Sequence, residues 1–114
     1  MTNEQREALL SASTFNVKLI ECVKAASENI RGGKIEDGYQ SVAVMTEGIE
    51  WLIGVITVNS EVLIEKIDVM KLNDIIREMI ESIENGDNGL LGDLLEYEIL
   101  EILTEWQSIL EGSL

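Results

Sequence analysis

Almost all the residues of this chain that could do chemistry are carboxylates, and none is a histidine. Glu78, Glu81 and Glu84 recur at helical spacing, and Glu96, Glu98, Glu101 and Glu105 form a second series. A pair of glutamates can act as acid and base across a bound substrate. At this abundance, however, the series reads as a solvated helix face. Glu98 stands apart because it falls at the edge of an apolar seam, about 20° from Leu91 and Ile109 on a helical wheel. Without histidine, Ser-His-Asp and Cys-His nucleophilic systems are excluded, as are His-containing zinc sites and the Glu-x-x-His di-iron pattern. Cys22, the single cysteine, has no intramolecular disulfide partner and lies in an apolar-periodic stretch, so it is expected as a small core residue.

The segment from Asp87 to Asp93 has the outline of a calcium loop, with Glu98 at its twelfth position. Gly89 and Leu91 occupy positions where oxygen-bearing side chains are required, so the match fails. Its glycines are not followed by a lysine, and acids lie close by, which argues against a phosphate cradle. A turn and helix cap is the expectation. No cofactor, no metal and no catalytic residues are expected, and the protein is read as non-enzymatic.

Charge narrows the partners. The 114 residues carry a net charge of −14, and residues 59–114 hold fourteen acids against three bases. From Glu78 to Leu114 there are ten acids and no base. Nucleic acid, which is bound by neutralising phosphates with Lys and Arg, is repelled. Anionic membrane surfaces are disfavoured for the same reason, and no apolar run approaches the roughly 20 residues that span a bilayer. The opening MTNEQREALL lacks the basic end and apolar stretch of a signal peptide, so a cytoplasmic protein is expected.

The elements that must carry these residues are helices. The chain has no proline and 46% apolar residues, enough for one core of ordinary domain size. Gly32-Gly33, Asn59-Ser60 and the run from Asn85 to Gly89 divide it into four segments, each boundary a helix-stop or helix-start signal. Helices of about 20 to 28 residues fit between the marks. Thr2 and Gln5 have capping-box spacing, and Leu9, Ala12, Leu19, Val23, Ala26 and Ile30 form a stripe with Asn16 in its missing step. Ser11, Ser13 and Thr14 are expected as a place where the first helix could kink or break. The second segment repeats Ile35, Val42, Met45, Ile49, Leu52 and Ile56; the third Val69, Leu72, Ile76, Met79 and Ile83; the fourth Leu91, Leu95, Ile99, Ile102, Trp106 and Ile109. The β-branched run Ile53 to Val58 is kept helical because a lone strand has no partner. The fold expected is an all-α, antiparallel, up-and-down four-helix bundle forming one domain over residues 1–114.

Two of these helices have more apolar surface than a bundle corner needs. Val44, Gly48, Trp51, Val55 and Val58 lie nearly opposite the second segment's seam, and Leu90, Leu94 and Tyr97 lie roughly 140° to 160° from the fourth segment's seam. Either the bundle covers these stripes internally or they form an interface. Val44, Trp51, Val55, Leu90, Leu94 and Tyr97 are the candidate interaction residues, since Trp and Tyr most often anchor such surfaces. Gly48 and Gly54 fit a close backbone approach there.

Asn85-Gly86-Asp87, then Asp93-Leu94-Leu95-Glu96-Tyr97-Glu98, then Trp106 resemble the closing signature of small acidic helical proteins of spore-forming Gram-positive bacteria. The resemblance implies a soluble bacterial bundle with a flagellum-associated accessory role. It is confined to the C-terminal segment, and a proline common in that family between the Tyr-Glu pair and the Trp is missing.

The functional expectation is a protein–protein interaction module, adaptor or export-chaperone-like, that self-associates or holds a client helix through the second stripes. A structural homodimer with no separate client uses the same surface. An acidic mimic of nucleic acid that blocks a basic site is a further alternative.

Overall fold

Thr2 opens the first helix as its spacing with Gln5 requires. Its hydroxyl accepts the Gln5 backbone N–H at 3.0 Å, and the Gln5 side chain accepts the Thr2 N–H at 2.8 Å. The computed structural model describes all of residues 1–114. Helix α1 (Asn3–Arg31) then runs through Ser11, Ser13 and Thr14 without the break expected there. Ser13 turns inward and accepts a hydrogen bond from the Gln107 amide, a partner that lets the polar cluster stay helical.

Gly33, at φ 81°, reverses the chain into α2 (Ile35–Val58). The β-branched end of α2 is helical, as expected. After it, the third segment departs from expectation. Ser60–Val62 form a single 3₁₀ turn, residues 63–68 are not helical, and α3 covers only Val69–Glu84, 16 residues. Asp68 caps α3 by accepting the Met70 N–H at 3.1 Å. The connecting stretch is anchored where Ile67 enters the core and the Ile64 N–H donates to Ser113 Oγ at 2.9 Å. Gly86, at φ 67°, makes the next turn. Asp87, the expected cap, accepts the Leu90 N–H at 3.1 Å. The last helix, α4, is one rod in three parts: Asn88–Asp93, a π-helical turn Leu94–Ile99, and Leu100–Gly112.

The result is an all-α, antiparallel four-helix bundle, 46 × 21 × 19 Å. Helix α1 is its hub, packed along α2 on one side and along α4 on the other. Helix α3 lies on α4 and only grazes α2, which leaves α2 and α4 diagonal. They touch at one end, where the Tyr39 hydroxyl donates to Asn88 Oδ1 at 2.7 Å. The core is built from the seams read in the sequence: Leu9, Leu19 and Val23 from α1, Met45, Ile49 and Leu52 from α2, Leu72 and Met79 from α3, and Leu95, Ile99 and Trp106 from α4. Each such side chain contributes about 1.5–3 kcal/mol on burial. On α3, Ile75 is buried where Ile76 was expected; Ile76 is half-buried.

Asn16 fills the missing step of the α1 seam and is fully buried. Its Nδ2 donates to the Leu103 carbonyl and to Gln107 Oε1, both at 2.9 Å, while its Oδ1 has no partner. A polar group so placed fixes the register of α1 against α4, because sliding either helix by one turn would strand the amide in apolar surroundings.

Candidate functional site

The outward side of the α1–α2 pair carries a groove that follows from the spacing of both helices. On α1, Ala8, Phe15, Cys22 and Asn29 are seven residues apart; on α2, Asp37, Val44, Trp51 and Val58 are also seven apart. Seven residues are close to two helical turns, so each set stays on one face. Because the helices are antiparallel, the sets meet rung by rung. Ala8 and Val58 line one depression of about 460 Å³ together with Trp51, Gly54 and Val55. Cys22, Asn29, Asp37 and Val44 line a second of about 370 Å³. Between them Phe15 and Trp51 meet edge to face, ring centres 5.0 Å apart and planes at 73°. From Ala8 to Asn29 the groove is about 32 Å long, at 1.5 Å per residue.

Of the candidate interaction residues, Val44 and Trp51 are 65% and 47% exposed, Val58 beside them is 79% exposed, and Val55 is half-buried at the groove wall. Those on α4 are not brought to this surface. Leu90 and Tyr97 are exposed on the diagonal helix, and Leu94 is only 5% exposed. The π turn explains the correction for Leu94. In it the Leu100 N–H reaches back to the Leu95 carbonyl, so the turn holds an extra residue and rotates the helix beyond it. Leu94, Leu95 and Ile99 all enter the core, while Glu98, expected at the seam edge, is carried into solvent. Tyr97 and Glu98 line none of the larger depressions.

Cys22 is also corrected. It is exposed, because Val23 and Ala26 take the core positions around it. The two glycines of the α2 stripe differ from each other. A methyl group at Gly48 would lie 2.8 Å from Leu19 Cδ2 and 3.0 Å from Phe15 Cζ, so Gly48 serves the packing of α1 on α2. At Gly54 nothing lies within 4 Å of such a methyl, so no contact inside the chain accounts for this glycine.

Electrostatics set the groove apart as well. Helix α2 contains Glu36, Asp37, Glu47 and Glu50, all exposed, and no basic residue. None of the four has an ion-pair partner, whereas Asp93 and Glu96 of α4 are both held by Arg31 of α1, at 2.6 and 3.1 Å. That clasp raises the Arg31 pKa, through the hydrogen bond to Asp93 first and that to Glu96 second. Gly92 leaves room for it, since a methyl there would lie 2.8 Å from the guanidinium carbon. Helix α2 is also long and apolar enough to cross a bilayer by length and composition, over an 18-residue window of mean hydropathy 1.5. The expectation that no stretch reaches that length is corrected to this extent. The window includes Glu47 and Glu50, and its seam of Val42, Met45, Ile49 and Leu52 is buried in the core, so its apolarity is that of a bundle helix with a second, open face.

The second wall of the groove was missed by the sequence reading. Ala8, Phe15 and Cys22 form no run of large apolar residues, and the signal that finds them is the seven-residue step they share with Val44, Trp51 and Val58.

Fold and site together define an all-α bundle whose distinguishing surface is an open, acid-rimmed groove between its first two helices, apolar at its Ala8–Val58 end and more polar, with Asn29, Asp37, Gln40 and Ser41, at the other. Residues 7–109 match the family described as Domain of unknown function (DUF8042), and the chain belongs to that family. No curated protein and no solved structure matches it.

Proposed function

We propose that this protein is a non-enzymatic protein–protein interaction module, of adaptor or export-chaperone type, that seats a helix of its partner in the α1–α2 groove. The observation that carries this reading is the row of Val44, Trp51 and Val58, exposed along an unbroken helix and met in the chain at Trp51 by the edge of Phe15. Aligned apolar side chains left in solvent mark interaction surfaces more often than scattered ones do. An amphipathic helix repeats its apolar anchors every one and two turns, so one laid along the groove reaches both depressions, which lie about four turns apart on either side of the Phe15–Trp51 pair. Trp51 has the large, rigid surface that typically dominates binding energy.

A homodimer through the same row competes with this reading. It would bring together two chains of net charge −14, with the unpaired Glu47 and Glu50 of each near the shared surface. Like charges placed opposite one another oppose association, and this favours a separate client.

Site-specific photo-crosslinking in cells tests the proposal. A crosslinker in place of Val44 is expected to give adducts with a partner chain that disappear when Trp51→Glu is added. A crosslinker in place of Tyr97, on the diagonal helix, is expected to give none. Equal adducts from both positions, or none from Val44, would remove the groove as the docking site.

A further inference from the structure

We infer that the groove's occupant is a basic amphipathic helix of about three heptads, whose Lys or Arg side chains flank its apolar stripe and meet the carboxylates of α2. The inference rests on the groove reading above and adds the partner's charge, length and backbone approach.

Charge comes first. Asp37 lines one depression and Glu50 lines the other, and neither depression is lined by a basic residue. Glu36 and Glu47 extend the acidic rim along α2. All four carboxylates are exposed and lack ion-pair partners, so they are free to meet incoming cations. The five bases of residues 1–58 all precede α2: Arg31 is occupied by Asp93 and Glu96, Lys24 pairs with Glu21 at 3.5 Å, and Arg6, Lys18 and Lys34 line neither depression. An acidic or neutral helix would leave the rim unmatched, whereas a lysine-flanked one complements it.

Length and approach come from the rungs. The groove from Ala8/Val58 to Asn29/Asp37 spans three heptads on each wall, about 32 Å, which a helix of about 21 residues covers. Gly54 is the second observation. A glycine inside an exposed helix costs about 1 kcal/mol against alanine. Here no contact within the chain explains it, and it lines the depression that holds Trp51 and Val58. A bare backbone at that point lets a partner helix come close beside the indole.

Cys22 supplies the test, being the single cysteine, exposed, and set in the groove. The full chain is mixed with a synthetic three-heptad peptide carrying leucine at the seam positions and lysine at the flanking positions. A second peptide has glutamate in place of each lysine. The readouts are the rate of Cys22 alkylation and the tryptophan emission, in which Trp51 is the ring open to a ligand because Trp106 is buried in the core. The lysine peptide is expected to slow alkylation and shift the emission, and the glutamate peptide to do neither. Asp37→Asn/Glu47→Gln/Glu50→Gln should weaken the lysine peptide about tenfold, the sum expected for three exposed ion pairs. Trp51→Glu/Val44→Glu, which adds negative charge but destroys the apolar seat, should abolish protection of Cys22.

If both peptides protect Cys22 equally, the basic-partner inference is overturned while the groove reading stands. If neither protects it, both fall. If the lysine peptide still binds Trp51→Glu/Val44→Glu undiminished, its binding is general attraction to an acidic protein and the inference is overturned.

Discussion

On α2 the outer stripe of Val44, Trp51 and Val58 runs along a continuous α-helix and remains in solvent; on α4 the equivalent stripe of Leu90, Leu94 and Tyr97 is cut by a π turn that draws Leu94 into the core. The two stripes look alike on a wheel drawn at 100° per residue. Only the first is a continuous exposed row. A wheel assumes one residue spacing throughout, and one wide turn changes which residues face inward from that point on. The difference also separates two kinds of apolar excess. That of α4 is interrupted, with Leu94 closing the bundle between the exposed Leu90 and Tyr97; that of α2 runs on through three exposed side chains, with Phe15 against the edge of Trp51.

The largest test of this contrast substitutes the same charge into each stripe. Leu94→Glu should cost more than about 4 kcal/mol and leave the chain largely unfolded, because it buries an unpaired carboxylate. Trp51→Glu should keep the helical signal and cost about 1 kcal/mol, the loss of the edge contact with Phe15. Circular dichroism and urea denaturation check both. Equal tolerance of the two substitutions would mean that Leu94 is not a core residue.

The two glycines of α2 sharpen the comparison at smaller scale, since they sit on one helix with opposite surroundings. Gly48→Ala should destabilise by about 1–3 kcal/mol, because Leu19 and Phe15 must move to admit the methyl. Gly54→Ala should stabilise by up to about 1 kcal/mol, raising the melting temperature by about 4 °C, while weakening whatever approaches that face. Thermal denaturation of the two variants should therefore move in opposite directions from the parent.

The smallest effect is expected at the clasp that ties α1 to α4. Arg31→Met should lower the melting temperature slightly at low salt, and the difference should vanish near 1 M salt, where exposed pairs are screened. The Arg31 pKa is raised in the folded chain, so its contribution is fully present below the ordinary arginine value and is lost only as pH rises through the folded one. No comparable loss is expected for α2, whose carboxylates have no such partner.

Much of this fold could be read from the residues. The seams of α1, α2 and α4 are visible because regular helices repeat apolar residues at a fixed spacing, and Thr2, Gly33 and Asp87 do the local work their types suggest. The start of α3 was not visible, because residues 63–68 are apolar enough to pass for helix and are held instead by Ile67 in the core and by Ser113 from the far end of the chain. Arg31 reaching Asp93 and Glu96 across 62 and 65 residues leaves no local pattern. For the site, one wall was legible and the other was not: Trp51 announces itself by size, whereas Ala8 and Cys22 matter through the rung they share with Val58 and Val44.

The central claim is that the outer face of α2 is open in the free protein and awaits a different chain. Light scattering of the full chain at low and high salt tests it most directly. The account predicts a monomer of 12.7 kDa under both conditions, unchanged by Trp51→Glu. A salt-resistant species of twice that mass, which Trp51→Glu splits into folded monomers, would contradict it and assign the groove to a second copy of the chain.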